Sequence, residues 1–447
     1  MAASPPTLMK THVTYPVGAD GANLVRRAFL VGVQPGGIDD ESANELLDEL
    51  ADLADTFGVD IAGRCVAKVS RPQAKYLVGE GKASTIVELA RLNEADVIIF
   101  DDPLTPAQQR NWEKLAEMAV IDREEVILDI FASRAHTREA VLQVQLARAR
   151  YDKPRLKRMW THLSRQRGMG GGGGYGKGEG EQQIELDSRQ LRDRITRLQE
   201  QLEEVQSQRG VQRRQRLRRP VPVAAIVGYT NAGKSSLLRS LTGADVLIED
   251  KLFATLDPTV RRLVLPGDSE ALLVDTVGLI RKLPHQLVDA FRATLEETRL
   301  ADVLVEVIDI RGRNIPEFHR TTQQVIEEIG AAGKPVITVF NKIDLVEDAF
   351  TLRRFRREWP GAIFVSTITG AGLDELCQEL ERACGSGWRE AELLIPHSRY
   401  DLVALLHRGG ARILQEKAAE DGIHLQVRVH PSLWSSIESF LASSPQK

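Results

Sequence analysis

The stretch VPVAAIVGYTNAGKSSLLRSL, residues 221–241, limits what this 447-residue chain can fold into more than any other part of it. A hydrophobic run that hands over through a glycine loop to a helix-patterned segment belongs to a parallel α/β sheet. The loop reads Gly228-x-x-x-x-Gly233-Lys234-Ser235, which is phosphate-loop spacing in the strand–loop–helix context that the motif needs. Small glycines let the backbone N–H groups of Tyr229, Thr230, Asn231, Ala232 and Ser236 wrap phosphates, and the helix N-terminus adds a favourable dipole. Lys234 is expected to reach the β- and γ-phosphates, and Ser235 to bind Mg²⁺.

Three further segments follow in the right order. LLVDTVG ends a strand at Asp275 and continues through Thr276 and Val277 to Gly278. The carboxylate would act on Mg²⁺ through water, and the Gly278 N–H would meet a γ-phosphate. VITVFNKIDL ends another strand with Asn341, Lys342, Ile343 and Asp344. A carboxylate at Asp344 accepts from guanine N1 and N2, and adenine offers no such donor pair. IFVSTITG follows a third strand, and Ser366, Thr367 and Ile368 can give backbone N–H groups to the guanine oxygen. Together these predict a P-loop domain for guanine nucleotides, over residues 221–388.

Between the phosphate loop and Asp275 lies KLFATLDPTVRRLVL. A mobile threonine should close there on Mg²⁺ and γ-phosphate. Thr255 and Thr259 both qualify, and Thr255 is favoured, with Phe253, Ala254, Leu256 and Asp257 lining the nucleotide beside it. The expected catalytic set is Lys234, Thr255 and Gly278, and the expected metal ligands are Ser235 and Thr255. Signalling GTPases carry a glutamine just after Asp-x-x-Gly to orient the attacking water. Here that place holds Leu279, so hydrolysis should be slow unless a partner supplies the function.

The rest of the chain divides by pattern. Residues 1–25 lack the apolar core of a signal peptide and read as a flexible leader. Residues 26–136 alternate strand-like and helix-like segments, a βαβ pattern with a mostly parallel sheet. AFLVGV, IAGRCVAKV, DVIIF and EVILDIF read as strands; STIVELARL and TPAQQRNWEKLAEM read as helices. ANELLDELADLADTF puts Ala43, Leu46, Leu47, Leu50, Leu53, Ala54 and Phe57 on one stripe. VGEGK, 78–82, lacks phosphate-loop spacing and reads as a strand-to-helix turn.

Residues 137–220 read as an antiparallel helical hairpin. Its first arm is TREAVLQVQLARARYDKPRLKRMWTHLSRQR, kinked at Pro154. Its second carries Ile184, Leu191, Ile195, Leu198, Leu202 and Val205 on a seam too short to dimerise strongly, so packing on the first arm and a monomer are expected, with a partner-chain coiled coil as the alternative. Nine of the thirteen residues from Gly168 to Gly180 are glycine, and they form the tip. Such a tip has no core to offset the entropy of ordering it, and is expected to be disordered until it docks. Residues 389–447 read as a small α+β domain, with a helix near Leu402 to Leu406, a strand HLQVRV and a closing helix WSSIESFL.

Charge points to an anionic partner. The net charge is -4, but the start is acidic (DDESANELLDELADLAD) and the middle basic (RARYDKPRLKRMW, RGVQRRQRLRRP). A cluster of Arg148, Arg150, Arg155, Lys157 and Arg158 suits RNA better than a protein effector. Cys65, Cys377 and Cys384 form no Cys-x-x-Cys pair and read as reduced thiols in a cytoplasmic protein. No apolar run is long enough for a membrane span.

With these pieces together the chain resembles the HflX-type GTPases of the Obg-like group. The resemblance is carried by GYTNAGKSSL, LFATLDPTVRR and DTVGLIRKLP, and outside them by RAFLVGV, FDDPLTPAQQRNWEKL, VILDIFASRAHTREAVLQVQLA and LSRQRG. It implies binding to the large (50S) ribosomal subunit, a hairpin tip reaching toward the peptidyl-transferase centre, splitting of stalled ribosomes, and Thr255 as the Mg²⁺-binding switch threonine. Arg165, Arg167, Tyr175 and Lys177 become the RNA-contact candidates. Three positions depart from the family pattern. The tip has Tyr175-Gly176-Lys177-Gly178 in place of Thr-Arg-Gly-Pro-like residues; Thr367 stands where alanine is common; Leu279 replaces a phenylalanine and keeps its hydrophobic character. The competing expectations are a GTP-dependent switch that recruits a protein effector and a ribosome-assembly GTPase.

Overall fold

A computed structural model describes residues 26–37, 39–155, 177–216, 221–243, 252–253, 255–267, 269–281, 292–312, 314–385, 389–408, 411–419, 421–429 and 431–441. The glycine tip 168–180 lies outside them except for its last residues, as do the leader, Lys157, Arg158, Arg165, Arg167, Tyr175 and Ala254. The chain divides near residue 200 into two compact units.

The first unit holds a four-stranded parallel sheet of β1 (Arg27–Pro35), β2 (Asp60–Val69), β3 (Val97–Phe100) and β4 (Ala119–Asp122), in the order β2-β1-β3-β4. β3 is buried along its whole length, which is why it reads as a continuous apolar run. Helix α1 (Asp40–Phe57) starts where the Asp39 side chain accepts the Ser42 N–H, stops at Gly58 with φ 88°, and buries Ala43, Leu47, Leu50, Leu53 and Ala54. Gly79 caps α2 (Glu80–Leu92), so VGEGK is a turn into a helix. Thr105 and Gln108 form a capping box on α3 (Pro106–Ala116). Trp112 of α3 is fully buried and donates its Nε1–H to the Tyr76 carbonyl at 3.0 Å. Its truncation to alanine would cost roughly 3–5 kcal/mol.

One expected strand is a helix. EVILDIF lies within α4 (Arg123–Arg134), and the fourth strand is the AVID before it. Val126, Ile127, Leu128, Ile130 and Phe131 are all buried, so the apolar-and-polar alternation that marks an amphipathic helix is missing. The helix is signalled at its start instead. Asp122 accepts the Glu125 N–H at 3.0 Å, and Glu124 and Glu125 occupy the first turn.

Helix α5 (Arg138–Asp152) ends in a 3-10 turn, Lys153–Arg155, at the expected Pro154. It also corrects the reading of the basic run. Arg148 pairs with Asp129 at 2.8 Å, Glu125 at 3.2 Å and Asp152 at 3.2 Å. Arg155 is 7% exposed, lies 3.6 Å from the Tyr151 ring centroid, and gives hydrogen bonds to Leu104 O at 2.7 Å, Gln109 Oε1 at 3.0 Å and Asp122 Oδ2 at 3.3 Å. Asp122 also accepts from Leu104 N and Tyr151 Oη. Burial pushes the Asp122 carboxyl up, and Arg155 opposes the shift. These two arginines are internal struts, not RNA contacts: Asp122 at the end of β4, Glu125 and Asp129 of α4 and Asp152 of α5 stand beside them. α6 (Lys177–Arg216) is one long helix. Leu198 on its predicted seam is buried, while Leu191, Ile195, Leu202 and Val205 are half-buried among exposed neighbours.

In the second unit, six strands run in the order β10-β9-β8-β5-β7-β6. They are β5 (Val223–Gly228), β6 (Thr259–Val264), β7 (Glu270–Asp275), β8 (Val303–Asp309), β9 (Val336–Asn341) and β10 (Ile363–Phe364). All neighbours are parallel except β6 and β7. One face packs Ile226, Val305 and Val339 on α7 (Lys234–Thr242) and α11 (Leu373–Gly385); the other packs Val227 and Leu304 with Ile326 of α9 (Ile315–Glu328). α8 (Arg292–Leu300) precedes β8, and α10 (Ala349–Glu358) precedes β10. With parallel strands, the loops after β5, β7, β8, β9 and β10 all leave at one edge, where α/β sheets place their ligand sites.

After Gly385 a separate antiparallel sheet forms, β11-β13-β12. β13 (Gly422–Val429) contains the expected HLQVRV, and α12 (Tyr400–Arg408) the expected helix. β11 (Arg389–Ile395) and β12 (Arg412–Ala419) were not anticipated. α13 (Pro431–Ile437) and a final 3-10 turn, Glu438–Phe440, pack Trp434 and Phe440 against the core of this sheet.

Candidate functional site

The four motif segments meet at the carboxyl edge of the six-stranded sheet. Two glycines of the phosphate loop are demanded by their neighbours. Gly228 has φ 141°, and a β-carbon there would lie 2.2 Å from the Val307 carbonyl oxygen. Gly233 has φ 91°, and its β-carbon would lie 2.2 Å from Asn341 Nδ2. Only glycine suits such φ values without strain. Asn231 also takes positive φ, at 58°.

Lys234 is buried at the start of α7 and donates to the Tyr229 carbonyl at 2.7 Å. Burial pushes its ammonium pKa down to about 8, against the pull of Asp275. Beside it three hard oxygens converge. Ser235 Oγ donates to Asp275 Oδ2 at 2.6 Å, Thr255 Oγ1 donates to the same oxygen at 2.9 Å, and the two hydroxyls stand 2.8 Å apart. Asp275 Oδ1 is buried with no hydrogen-bond partner among the described residues. Burial pushes the Asp275 carboxyl up, and Lys234 and the two hydroxyls oppose it. Thr259 stands in β6 opposite Asp275 in the ladder, and of the two candidate threonines it is Thr255 whose hydroxyl meets Ser235. Phe253 (φ 56°) and Leu256 on either side are buried, and Asp257 is half-buried.

After Asp275, the Thr276 hydroxyl donates to the Ile226 carbonyl at 2.6 Å. Val277 and Leu279 are both buried. A β-carbon on Gly278 would lie 2.6 Å from Thr230 Cγ2 and 3.0 Å from Lys234 Nζ, which fixes the Gly278 backbone next to the ammonium.

The third and fourth segments build a floor beside the loop. Asn341 is fully buried; its Nδ2 donates to the Ala232 carbonyl at 3.0 Å, and its Oδ1 accepts the Thr367 N–H at 3.3 Å. Lys342, at φ 67°, donates to the Asn231 carbonyl at 2.8 Å and pairs with Asp309 at 2.8 Å. Ile343 begins the short turn after it, and Ser366 Oγ donates to Asp344 Oδ1 at 2.5 Å. Asp344 and Ile368 remain exposed. The sequence motifs missed Asp309 and the Tyr229 ring, which stacks on Phe318 at 4.4 Å. Asp309 ends β8 at the same edge, and that placement was its only signal.

Lys177 opens α6, and of the RNA-contact candidates it alone has a described backbone. Cys65, Cys377 and Cys384 are free thiols; burial pushes Cys65 up to about 11 and Cys384 up to about 12, which keeps them protonated. No helix among the described residues is long and apolar enough to cross a membrane.

Family models match three consecutive stretches. One described as GTP-binding GTPase N-terminal matches residues 44–132, one described as GTP-binding GTPase Middle Region matches 134–216, and one described as 50S ribosome-binding GTPase matches 223–342. GTPase HflX of Akkermansia muciniphila is 47% identical over 430 residues, covering 94% of this chain and 98% of that protein. GTPase HflX of Escherichia coli strain K12 is 44% identical over 388 residues, covering 86% of this chain and 90% of that protein. A solved GTP-binding protein of Sulfolobus solfataricus in complex with GDP is 24% identical, with a TM-score of 0.42, over 81% of this chain and 99% of its own. The three family matches and the near full-length identity, on a chain whose phosphate loop, Asp275, Asn341 and Asp344 share one sheet edge, mean that this chain belongs to the HflX family of GTPases and is a GTP hydrolase.

Proposed function

We propose that this GTPase acts on the large, 50S ribosomal subunit and uses GTP to split or rescue stalled ribosomes. The observation that carries the reading is the match of residues 223–342, the nucleotide domain itself, to a 50S ribosome-binding GTPase model. Arg148 and Arg155 do not contribute to it, because both are held in internal ion pairs. RNA contact falls instead to Arg165, Arg167, Tyr175 and Lys177 around the glycine tip. The protein works as a monomer in the cytoplasm, where its free thiols stay reduced.

In this reading, the backbone of 228–236 holds the phosphates, Lys234 meets the β- and γ-phosphates, and the Gly278 N–H meets the γ-phosphate. The oxygens of Ser235, Thr255 and Asp275 suit a hard divalent cation, and the unpartnered buried oxygen of Asp275 suits a water bound to one. Ser235 and Thr255 would hold Mg²⁺ directly. When bound, the ion neutralises phosphate charge. Asp344, already aligned by Ser366, takes the guanine N1 and N2 donors, and the backbone at 366–368 takes the guanine oxygen. Leu279 is buried and apolar, and orients no water. Turnover of the isolated protein is therefore slow, and the ribosome speeds it by ordering the switch segments.

Co-sedimentation with 30S, 50S and 70S particles, with GDP or a non-hydrolysable GTP analogue, tests the reading. Analogue-dependent association with 50S, loss of 70S and faster hydrolysis on 50S are expected. Binding to 50S without any loss of 70S favours an assembly role. No association at low salt, and hydrolysis unchanged by subunits, favours a protein effector.

A further inference from the structure

Residues 228–230 and 279–281 run side by side beyond β5 and β7. Leu279 N–H donates to the Gly228 carbonyl at 3.0 Å, and Thr230 N–H donates to the Leu279 carbonyl at 2.8 Å. The next rung is made by a side chain: Arg281 N–H donates to Tyr229 Oη at 2.7 Å. The Tyr229 ring is itself fixed, stacked on Phe318 of α9 with an interplanar angle of 29°. The Arg281 guanidinium lies 5.0 Å from the same Phe318 ring and 3.7 Å from Glu317. One tyrosine of the phosphate loop thus ties down the segment that starts at Gly278.

We infer that Tyr229 is a positioning residue that sets the preference for GTP over GDP. The inference rests on the functional reading above and deepens it. Gly278 stands beside Lys234 because the ladder on either side of it is closed. The two rungs at Leu279 join backbone to backbone, and the Thr276 hydroxyl closes the ladder on the other side of Gly278. The outermost rung depends on one phenol. Opening it leaves residues 280–281 without that anchor while Leu279 keeps its two backbone bonds, and the seat of Gly278 beside Lys234 is loosened. GDP has no γ-phosphate and makes no use of that convergence, whereas GTP does. The phenol therefore matters more for GTP than for GDP, although it touches neither through its hydroxyl.

The test is Tyr229→Phe in the full-length protein, which removes the hydroxyl and keeps the stack on Phe318. Equilibrium titrations measure GDP and a non-hydrolysable GTP analogue, with the unfolding midpoint of the nucleotide-free protein as a check on folding. The analogue's affinity should fall roughly 3- to 10-fold further than that of GDP, the size of one neutral hydrogen bond. Phe318→Leu, which keeps the hydroxyl and loosens the ring, should shift the same ratio in the same direction by less. An equal fall for both nucleotides would make Tyr229 a merely structural part of the loop and overturn the inference, as would an unchanged ratio. A wild-type protein that binds neither nucleotide would overturn the functional reading itself, and is told apart from those results by its own titration.

Discussion

Asn341 closes over Gly233: its side-chain amide donates to the Ala232 carbonyl at 3.0 Å and stands 2.2 Å from where a β-carbon on Gly233 would be. The segment that begins at Asn341 and the phosphate loop are therefore built against each other across 109 residues of sequence.

Gly233→Ala should damage both at once. The alanine meets a buried amide and must also adopt φ 91°, a conformation costing roughly 1–3 kcal/mol for a non-glycine residue. Gly228→Ala should be worse, since its obstacle is the backbone oxygen of Val307 in a central strand and cannot swing aside. Chemical denaturation and GDP titration of both variants check the order. Gly228→Ala as stable as wild type would contradict the packing described.

Nucleotide binding should take up protons at mildly alkaline pH. Burial lowers the Lys234 pKa to about 8 in the nucleotide-free protein, and phosphates beside it would raise it again. At pH 8.5 more than about half a proton should be absorbed per GDP bound, by calorimetry in buffers of different ionisation enthalpy. The sign for stability is opposite to that of a favourable ion pair. A lysine with a depressed folded pKa costs stability below about pH 8, and that cost is relieved as pH rises toward the unfolded value of 10.5. Binding with no proton uptake at pH 8.5 would show that phosphates do not meet Lys234.

Asp344→Asn should weaken GTP and favour xanthosine triphosphate, because the amide reverses half of the hydrogen-bond pattern. Loss of the charge-assisted pair should cost roughly 1.5–3 kcal/mol. Ser366 can still donate to the asparagine oxygen, so the fold should hold. Competition titrations with the two triphosphates decide it; an unchanged preference for GTP rules out this carboxylate as the base reader.

Arg155→Met should act on stability, not on RNA affinity. It leaves Asp122 buried beside Glu125 without its guanidinium, a loss of roughly 3–5 kcal/mol for a broken buried pair. Urea denaturation should show the first unit destabilised. A variant of native stability with weakened ribosome binding would return Arg155 to the RNA-facing set.

What the sequence by itself determined is what depends on neighbours along the chain. The phosphate loop, Asp275–Gly278, Asn341–Asp344 and Ser366–Ile368 each need a few residues at fixed spacing after a strand, and a parallel sheet brings such strand ends to one edge. The apolar stripe of α1 and the seam of α6 were legible for the same reason: one exposed face and one covered face leave a 3.6-residue rhythm. Tertiary structure decided the rest. EVILDIF does not show its helix in the sequence because burial of Val126, Ile127, Leu128, Ile130 and Phe131 removes that rhythm and leaves the cap at Asp122 to reveal it. Arg148 and Arg155 look like solvent-facing cations in the sequence, and become internal struts only because Glu125, Asp129 and Asp122 are folded against them. That Thr255 is the threonine whose hydroxyl meets Ser235, 20 residues away, is likewise a matter of the fold. The Tyr229–Arg281 bond spans 52 residues and no local pattern encodes it, because it exists only where two strand ends are laid side by side.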